Sequence, residues 1–268
     1  MSETSLNGEN KNKIHAQEQK HSFSLSGKRA LITGSGRGIG LAISEAFSAA
    51  GAEVFLCART EVEVDLEAER LRSQGAKAKG FVLDVTDRIA FEQLIDTLPS
   101  LDIFVNNAGT NRPMKLADVT DADYHAIMDL NVKAAIFCTR AVTNKMLKDQ
   151  KAGSIINISS QMGHVGAKNR TLYCASKWAI EGFTKALAIE LGENNIRVNT
   201  ICPTFVETPL TQPFFKDKEF YQEVISKIKL GRLGKVEDVA DAAVFLASDA
   251  SAMMTGSALM LDGGWTAE

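Results

Sequence analysis

Much is missing from this sequence, and each gap excludes a class of protein. Its 268 residues include four cysteines, Cys57, Cys138, Cys174 and Cys202, which lie far apart with no CxxC pair and no histidine at metal spacing. That argues against a disulfide framework or a zinc module, and no metal site is expected. Each cysteine sits in an apolar or helical context, so buried free thiols in a reducing, cytoplasmic setting are the expectation. No run approaches the length of a membrane span, so no membrane partner is expected. The polar opening, MSETSLNGENKNKIHAQEQKH, lacks the apolar stretch of a signal peptide. With a net charge of −3 and no cluster of Lys and Arg interleaved with aromatics, no nucleic-acid partner is expected either. There is no internal repeat and no linker rich in Pro, Gly or Ser. One domain over 23–268 is therefore expected, preceded by a disordered arm over 1–22.

What the chain does have is apolar residues, 45% of the total, arranged in a regular rhythm. Apolar runs at Arg29–Thr33, Glu53–Ala58, Lys77–Leu83, Leu101–Asn106, Ser154–Ile158, Arg197–Ile201 and Ser257–Leu261 read as strands. Most are continuous rather than alternating, as befits strands buried on both faces. Helical patterns fall between them at Ile39–Ala50, Glu63–Gln74, Ile89–Thr97, Asp121–Leu147, Tyr173–Leu191 and Val236–Ser248. The alternation predicts an α/β fold of the Rossmann type, a doubly wound, seven-stranded parallel sheet with helices on both faces. The rhythm breaks between Pro203 and Gly234, where three prolines and four phenylalanines gather. An insertion there lies beyond the carboxyl end of the sixth strand, where such sheets place ligands, and reads as a substrate-side lid with one or two short helices.

The first strand runs into TGSGRGIG, Thr33 to Gly40, which opens a helix. Gly34, Gly38 and Gly40 allow a sharp turn and a close backbone approach to a pyrophosphate, and the helix start at Ile39 offers N–H donors. Where the second strand ends, an acidic residue would favour NAD by bonding the ribose hydroxyls. Here Ala58 stands in its place, with Arg59 next and Arg37 inside the loop. Two guanidiniums without a carboxylate suit a 2′-phosphate, so NADP(H) is expected over NAD(H), against the plainer reading of solvated surface arginines.

Tyr173 and Lys177, in YCASK, stand four residues apart on one helix face. Alone, such a pair is commonplace. A fixed ammonium beside a phenol stabilises the phenolate, so Lys177 is expected to lower the pKa of Tyr173 and let it act as acid or base near neutral pH. TGSGRGIG, LDVTD at 83–87, NNAG at 106–109, Asn131 in DLNVKAA, NISSQMG at 157–163 and YCASK follow one another as in the short-chain dehydrogenase/reductase family, which the sequence resembles over about residues 25–265.

The resemblance implies an NADP-dependent oxidoreductase that interconverts a carbonyl and a secondary alcohol. It implies that Ser160, preferred to Ser159 by its spacing to Tyr173, holds the substrate oxygen. It also gives Asn131 a water that links Lys177 to solvent, and gives Lys177 a bond to the nicotinamide ribose. By the same resemblance Asp84 and Val85 meet the adenine, Asn107, Ala108 and Gly109 line the cofactor, Thr208 bonds its carboxamide or its phosphates, and Val206 lies beside it in the loop over the nicotinamide. The family usually has Pro-Gly after the sixth strand where this chain has Pro203-Thr204, a departure that bears on the last two contacts.

Thr110, Asn111, Arg112, Gln161, His164, Lys168, Arg170, Phe205 and Phe214 are expected by position around the substrate. Several are polar or cationic, which suits a hydroxylated or carboxylated substrate such as a sugar acid or polyol, with a small cyclic ketone also expected. A 3-oxoacyl group on a carrier protein is the rival substrate. A non-catalytic NADPH-binding regulator is the rival of a different class. The resemblance further implies a homotetramer.

Overall fold

Continuous apolar runs become strands here because both of their faces are covered. In the computed structural model, which describes residues 23–267, seven strands form one parallel sheet: β1 (Arg29–Thr33), β2 (Glu53–Ala58), β3 (Ala78–Val82), β4 (Ile103–Asn106), β5 (Gly153–Ile158), β6 (Ile196–Pro203) and β7 (Ala258–Leu261). Their order is β3-β2-β1-β4-β5-β6-β7. Helices α1 (Gly38–Ala49), α2 (Glu61–Ser73), α3 (Arg88–Thr97), α4 (Asp121–Met128), α5 (Ala135–Lys148), α6 (Thr171–Leu191), α7 (Lys218–Lys227) and α8 (Val236–Ala247) complete the chain. The Rossmann-type, doubly wound arrangement is as the sequence predicts. The segment 1–22, read as an arm, lies outside the described residues. Among the described residues no helix is long and apolar enough to cross a membrane.

Successive strand residues point to opposite faces, so each strand feeds two cores. Ala30, Ile32, Val54 and Leu56 pack with Ile43 and Phe47 of α1 and Val239 and Leu246 of α8. Leu31, Phe55 and Phe104 turn the other way, onto Phe91 of α3, Val142 and Met146 of α5 and Leu191 of α6. Phe47, Phe91 and Phe104 are fully buried, and truncating any one to alanine would cost about 3–5 kcal/mol. Several helices start on side-chain caps: Asp87 accepts from the Ala90 N–H, Thr120 and Asp123 form a reciprocal box, and Asp217 accepts from Glu219 and Phe220.

One element departs from the sequence reading, and the insertion after β6 carries the short helical elements expected of it. The helix predicted over Asp121–Leu147 is interrupted by a π-helical stretch, Asp129–Ala134, that carries Asn131. Its side chain is bonded outside the helix, as described below, and the widened turn accommodates it. The insertion after β6 folds as a 3₁₀ turn, Phe214–Lys216, followed by α7. A bridge between Val206 and Gly234 ties its two ends together, and it carries a small core of Val224, Ile228 and Leu233 with Phe205, Phe215, Phe220, Tyr221 and Trp265.

β1 lies between β2 and β4, so the connections leaving β1 and β4 diverge to opposite sides of the sheet. Between their carboxyl ends a crevice must open.

Candidate functional site

The crevice is floored by the glycine loop, and its shape follows from what the loop cannot carry. Gly34 and Gly38 adopt φ of +64° and +59°, a region that side chains avoid. A Cβ on Gly40 would stand 2.4 Å from the Gly34 carbonyl oxygen and 2.5 Å from Asn107 Nδ2. Helix α1 is thereby pressed against the loop. Asn107 Nδ2 donates to the carbonyls of Thr33 (2.9 Å) and Gly34 (3.1 Å), and the Asn107 and Ala108 N–H groups donate to Thr33 Oγ1. Ser35 Oγ accepts from the Cys57 N–H at 2.8 Å, tying the loop to β2. Loop, β2 and β4 thus form one wall. No acidic residue occupies the first turn of α1 and Arg37 caps nothing with its side chain, so the turn keeps its positive end for an anion.

A cleft of about 320 Å³ runs from this wall to α6. Gly34, Arg37, Gly38, Ile39, Arg59, Asp84, Val85, Asn107, Ala108, Gly109, Tyr173, Lys177, Val206 and Thr208, all expected at a cofactor, line it. Gly40 stands behind the loop as the packing point.

At the β2 end, the expectation of two guanidiniums without a carboxylate is corrected. Glu63, from the first turn of α2, pairs with Arg37 at 3.3 Å, and Asp84 stands 3.7 Å from Arg59. The end of β2 itself has no acid, but the next helix brings one in from the side. Burial pulls the Asp84 carboxyl upward; bonds from the Thr86 N–H and hydroxyl, with the nearby Arg59, outweigh it and hold the group below the usual range.

At the opposite end stand Ser160, Tyr173 and Lys177. The Lys177 ammonium donates to the Ile158 carbonyl at 2.8 Å and lies 5.5 Å from the centre of the Tyr173 ring. Ser160 Oγ accepts from the Met162 N–H at 3.1 Å, donates to the Pro203 carbonyl at 3.5 Å and lies near the phenol. Tyr173 keeps some exposed area, yet protein surrounds it on nearly all sides. Burial pushes its pKa up to about 12, against the Ser160 bond and the Arg170 charge. Burial likewise pulls Lys177 down to about 8, with Cys202 and Glu181 opposing. The expectation that Lys177 lowers the tyrosine is therefore corrected for the chain by itself: both groups are withdrawn from water, and each charged form is penalised.

Asn131 joins the cleft to α6. Its Oδ1 accepts from the Thr110 N–H at 2.8 Å, while Nδ2 donates to the Thr110 carbonyl (2.9 Å) and to Ser176 Oγ (3.1 Å). The side-chain amide is fully engaged with protein groups, so a water at Asn131 would have to be held by its backbone.

The expected substrate residues are dispersed. Thr110 and Asn111 line the cleft. Arg112 lies outside that lining, pairing with Asp123 at 3.0 Å, and Lys168 is exposed. Gln161 is buried, and Phe205 stands within the aromatic cluster of the insertion, 5.7 Å from Phe220. His164 turns away from the cleft lining toward Glu181 and Cys202, with Nε2 3.5 Å from both Glu181 Oε2 and Cys202 Sγ. Arg170 is buried with its ring partner Phe214 at 5.7 Å. Glu63 and Glu181 were not expected at all. Glu181 continues the spacing of Tyr173 and Lys177 along α6, a signal that could have found it.

The chain as a whole is similar to several known proteins. A family model described as Enoyl-(Acyl carrier protein) reductase matches residues 34–266. L-xylulose reductase of Bos taurus is 37% identical over 243 residues, covering 91% of this chain and 98% of the relative. The 3-oxoacyl-(acyl-carrier-protein) reductase FabG of Thermotoga maritima is 37% identical over 244 residues, covering 90% and 98%. Among solved structures, a gluconate 5-dehydrogenase from Burkholderia cenocepacia J2315 in complex with NADP and tartrate superposes with a TM-score of 0.89 at 34% identity, covering 92% of this chain and 98% of that one.

Proposed function

The chain belongs to the short-chain dehydrogenase/reductase family and is an oxidoreductase, and from that premise we propose that it uses NADP(H) to interconvert a carbonyl and a secondary alcohol on a small carboxylated or polyhydroxylated substrate. The observation that carries the reading is the meeting of Ser160, Tyr173 and Lys177 in the same cleft as the glycine loop.

The nicotinamide, when bound, supplies or accepts the hydride. Each other task falls to this chain. Gly34, Gly38 and the first turn of α1 would hold the pyrophosphate. Ser160 holds the substrate oxygen with a hydrogen bond that strengthens as negative charge develops there. Tyr173, which burial keeps protonated at neutral pH, donates its phenolic proton to that oxygen during reduction. Lys177, held against the Ile158 carbonyl, fixes the tyrosine ring and carries a proton near it. Asn131 keeps Thr110 and α6 in register around the pair.

Arg37 and Arg59 support the NADP(H) preference, because both flank the cleft beyond Ala58. Their present partners, Glu63 and Asp84, are exposed enough to yield to a dianion. The bound NADP of the Burkholderia relative points the same way.

Arg170 supports the substrate class. It is buried, donates to the Asn169 carbonyl at 3.3 Å, and has no carboxylate within ion-pair distance among the described residues. Burying an unpaired guanidinium costs several kcal/mol, a cost that a substrate carboxylate arriving beside Tyr173 would offset. The rival substrate, a 3-oxoacyl thioester, is favoured by the FabG relative. Exposed Trp178 and Ile189 on α6 and Leu147 on α5 fit a homotetramer, which light scattering checks.

The test assays sugar acids, polyols, cyclic ketones and acetoacetyl thioesters with NADPH and NADH, beside the variant Tyr173→Phe. Turnover should fall roughly 10²–10⁴-fold in the variant while NADPH binds as before. Near-normal turnover in Tyr173→Phe would refute the assigned proton donor. NADPH binding with no turnover of any panel member by the unmodified chain would favour a non-catalytic regulator.

A further inference from the structure

One cluster of metal-binding side chains lies outside the cofactor cleft. His164 follows the short 3₁₀ turn after β5, Glu181 lies in α6 one turn beyond Lys177, and Cys202 lies in β6. Three different elements therefore converge on one point. Cys202 Sγ is 3.2 Å from Glu181 Oε1 and 3.5 Å from His164 Nε2, and His164 Nε2 is 3.5 Å from Glu181 Oε2. A tetrahedral ion bound at ~2.0–2.3 Å by oxygen, nitrogen and sulfur separates its ligand atoms by about 3.3–3.6 Å. The distances found here are close to those edges, with the Glu181 carboxylate turning one oxygen toward the thiol and the other toward the imidazole, and one ligand atom from each residue lies within 4.8 Å of the other two.

We propose that His164, Glu181 and Cys202 form a three-ligand site for a zinc-like divalent cation, with a fourth position open to solvent. The donor set is one imidazole, one carboxylate and one thiolate, which favours Zn²⁺ over the oxygen-seeking Mg²⁺ and Ca²⁺. Thiolate and carboxylate together balance the two charges of the ion, so the bound site is neutral. Cys202 and Glu181 are buried, whereas the His164 side chain is about a third exposed, at 31%, and gives the ion an entry side.

A surrounding shell is also in place. Thr200 Oγ1 donates to Glu181 Oε2 at 3.1 Å and lies 3.3 Å from the thiol. Ser159, buried and with its hydroxyl otherwise unpartnered, faces the same sulfur. Binding is balanced by proton release: the Cys202 S–H bond breaks, the metal–sulfur bond forms, and the thiol proton leaves for solvent, with no change of oxidation state. The competing description is a buried carboxylate satisfied by hydrogen bonds from Thr200, Cys202 and His164.

The test uses the full chain stripped with a chelator, then titrated with Co²⁺ and separately with Zn²⁺. The expected result is one Co²⁺ per chain, a thiolate-to-cobalt charge-transfer band with tetrahedral ligand-field absorption, and displacement by Zn²⁺. Cys202→Ser should abolish the charge-transfer band and His164→Ala should weaken Zn²⁺ binding at least tenfold, with far-ultraviolet circular dichroism reporting that both remain folded. Cys174→Ser, which alters the half-buried third cysteine, should leave the band intact. A folded chain that shows no charge-transfer band at millimolar cobalt would overturn the site. So would a band that persists in Cys202→Ser, or one that disappears in Cys174→Ser.

Discussion

Replacing Arg59 with alanine should separate the two nicotinamide cofactors. In the structure the guanidinium is largely exposed, its side chain 71% accessible, and its only ion-pair partner among the described residues is Asp84 at 3.7 Å. Turning toward a 2′-phosphate would forfeit that pair, worth ~0.2–1 kcal/mol at such exposure. The charge-assisted bond gained in its place is worth about 1.5–3 kcal/mol. A net of roughly 1–2 kcal/mol remains, which corresponds to about 5–30-fold in NADPH affinity. NADH has no phosphate there, so its affinity should stay within about twofold. The opposing carboxylate supplies the internal control. Glu63→Gln removes the negative charge 3.3 Å from Arg37 and should tighten NADPH several-fold. Both effects should shrink in high salt, since charges this exposed are screened beyond ~10 Å at 0.1 M. Fluorescence titration of each variant with NADPH and NADH measures all four affinities. Arg59→Ala weakening the two cofactors equally, or an unmodified chain that binds NADH as tightly as NADPH, would defeat the reasoning.

Lys177→Met should stabilise the fold while abolishing turnover. The fall of the lysine from 10.5 to about 8 corresponds to roughly 3 kcal/mol for keeping a buried ammonium charged. Losing its bond to the Ile158 carbonyl returns about 1 kcal/mol. At pH 7 the variant should therefore melt several degrees higher. Between pH 8 and the unfolded value of 10.5 the unfolded chain keeps a proton that the folded one has released, so the unmodified chain gains stability with rising pH and the gap should narrow. A pH-independent gap would contradict the cause given. Gly40→Ala should cost about 2 kcal/mol or more, because the Gly34 carbonyl cannot retreat, and should weaken NADPH by more than tenfold. In Gly38→Ala the nearest atom is 3.7 Å from the added carbon, so only the backbone strain of a positive φ, about 1–2 kcal/mol, should appear in thermal melts.

The strands and the glycine loop were legible because their signals are local. A parallel strand buried on both faces must be a continuous apolar run, and a loop pressed between α1 and β4 cannot carry side chains at its points of closest approach. The interruption at Asp129–Ala134 was not legible, since the helical pattern continues through it and Asn131 takes its partners from Thr110 and Ser176. Glu63 escaped because the sign of the charge around Arg37 is decided by where the first turn of α2 faces. Arg112, Gln161, His164 and Phe205 were placed by their nearness in sequence to the reacting groups. In the fold Arg112 and His164 are taken up by carboxylates, Phe205 by other rings, and Gln161 by the interior. The pKa values of Tyr173 and Lys177 depend on depth, which their spacing along α6 does not encode.

The position of β1 between β2 and β4 bears on how the chain assembles. Ala30 pairs with Val54 on one side and with Ile103 on the other, so one edge of β1 closes locally and the other waits for a partner more than seventy residues downstream. Every connection in an all-parallel sheet is a crossover, which gives a high contact order and slow acquisition of the native topology. The seam between β1 and β4 is also where Asn107 fastens the glycine loop. A dinucleotide seated there would touch elements from both halves of the sheet and would bind only after they have docked. At one hundred times its dissociation constant it adds about 2.7 kcal/mol to the finished state. The nucleotide then works as a clasp, and refolding yield should rise with its concentration.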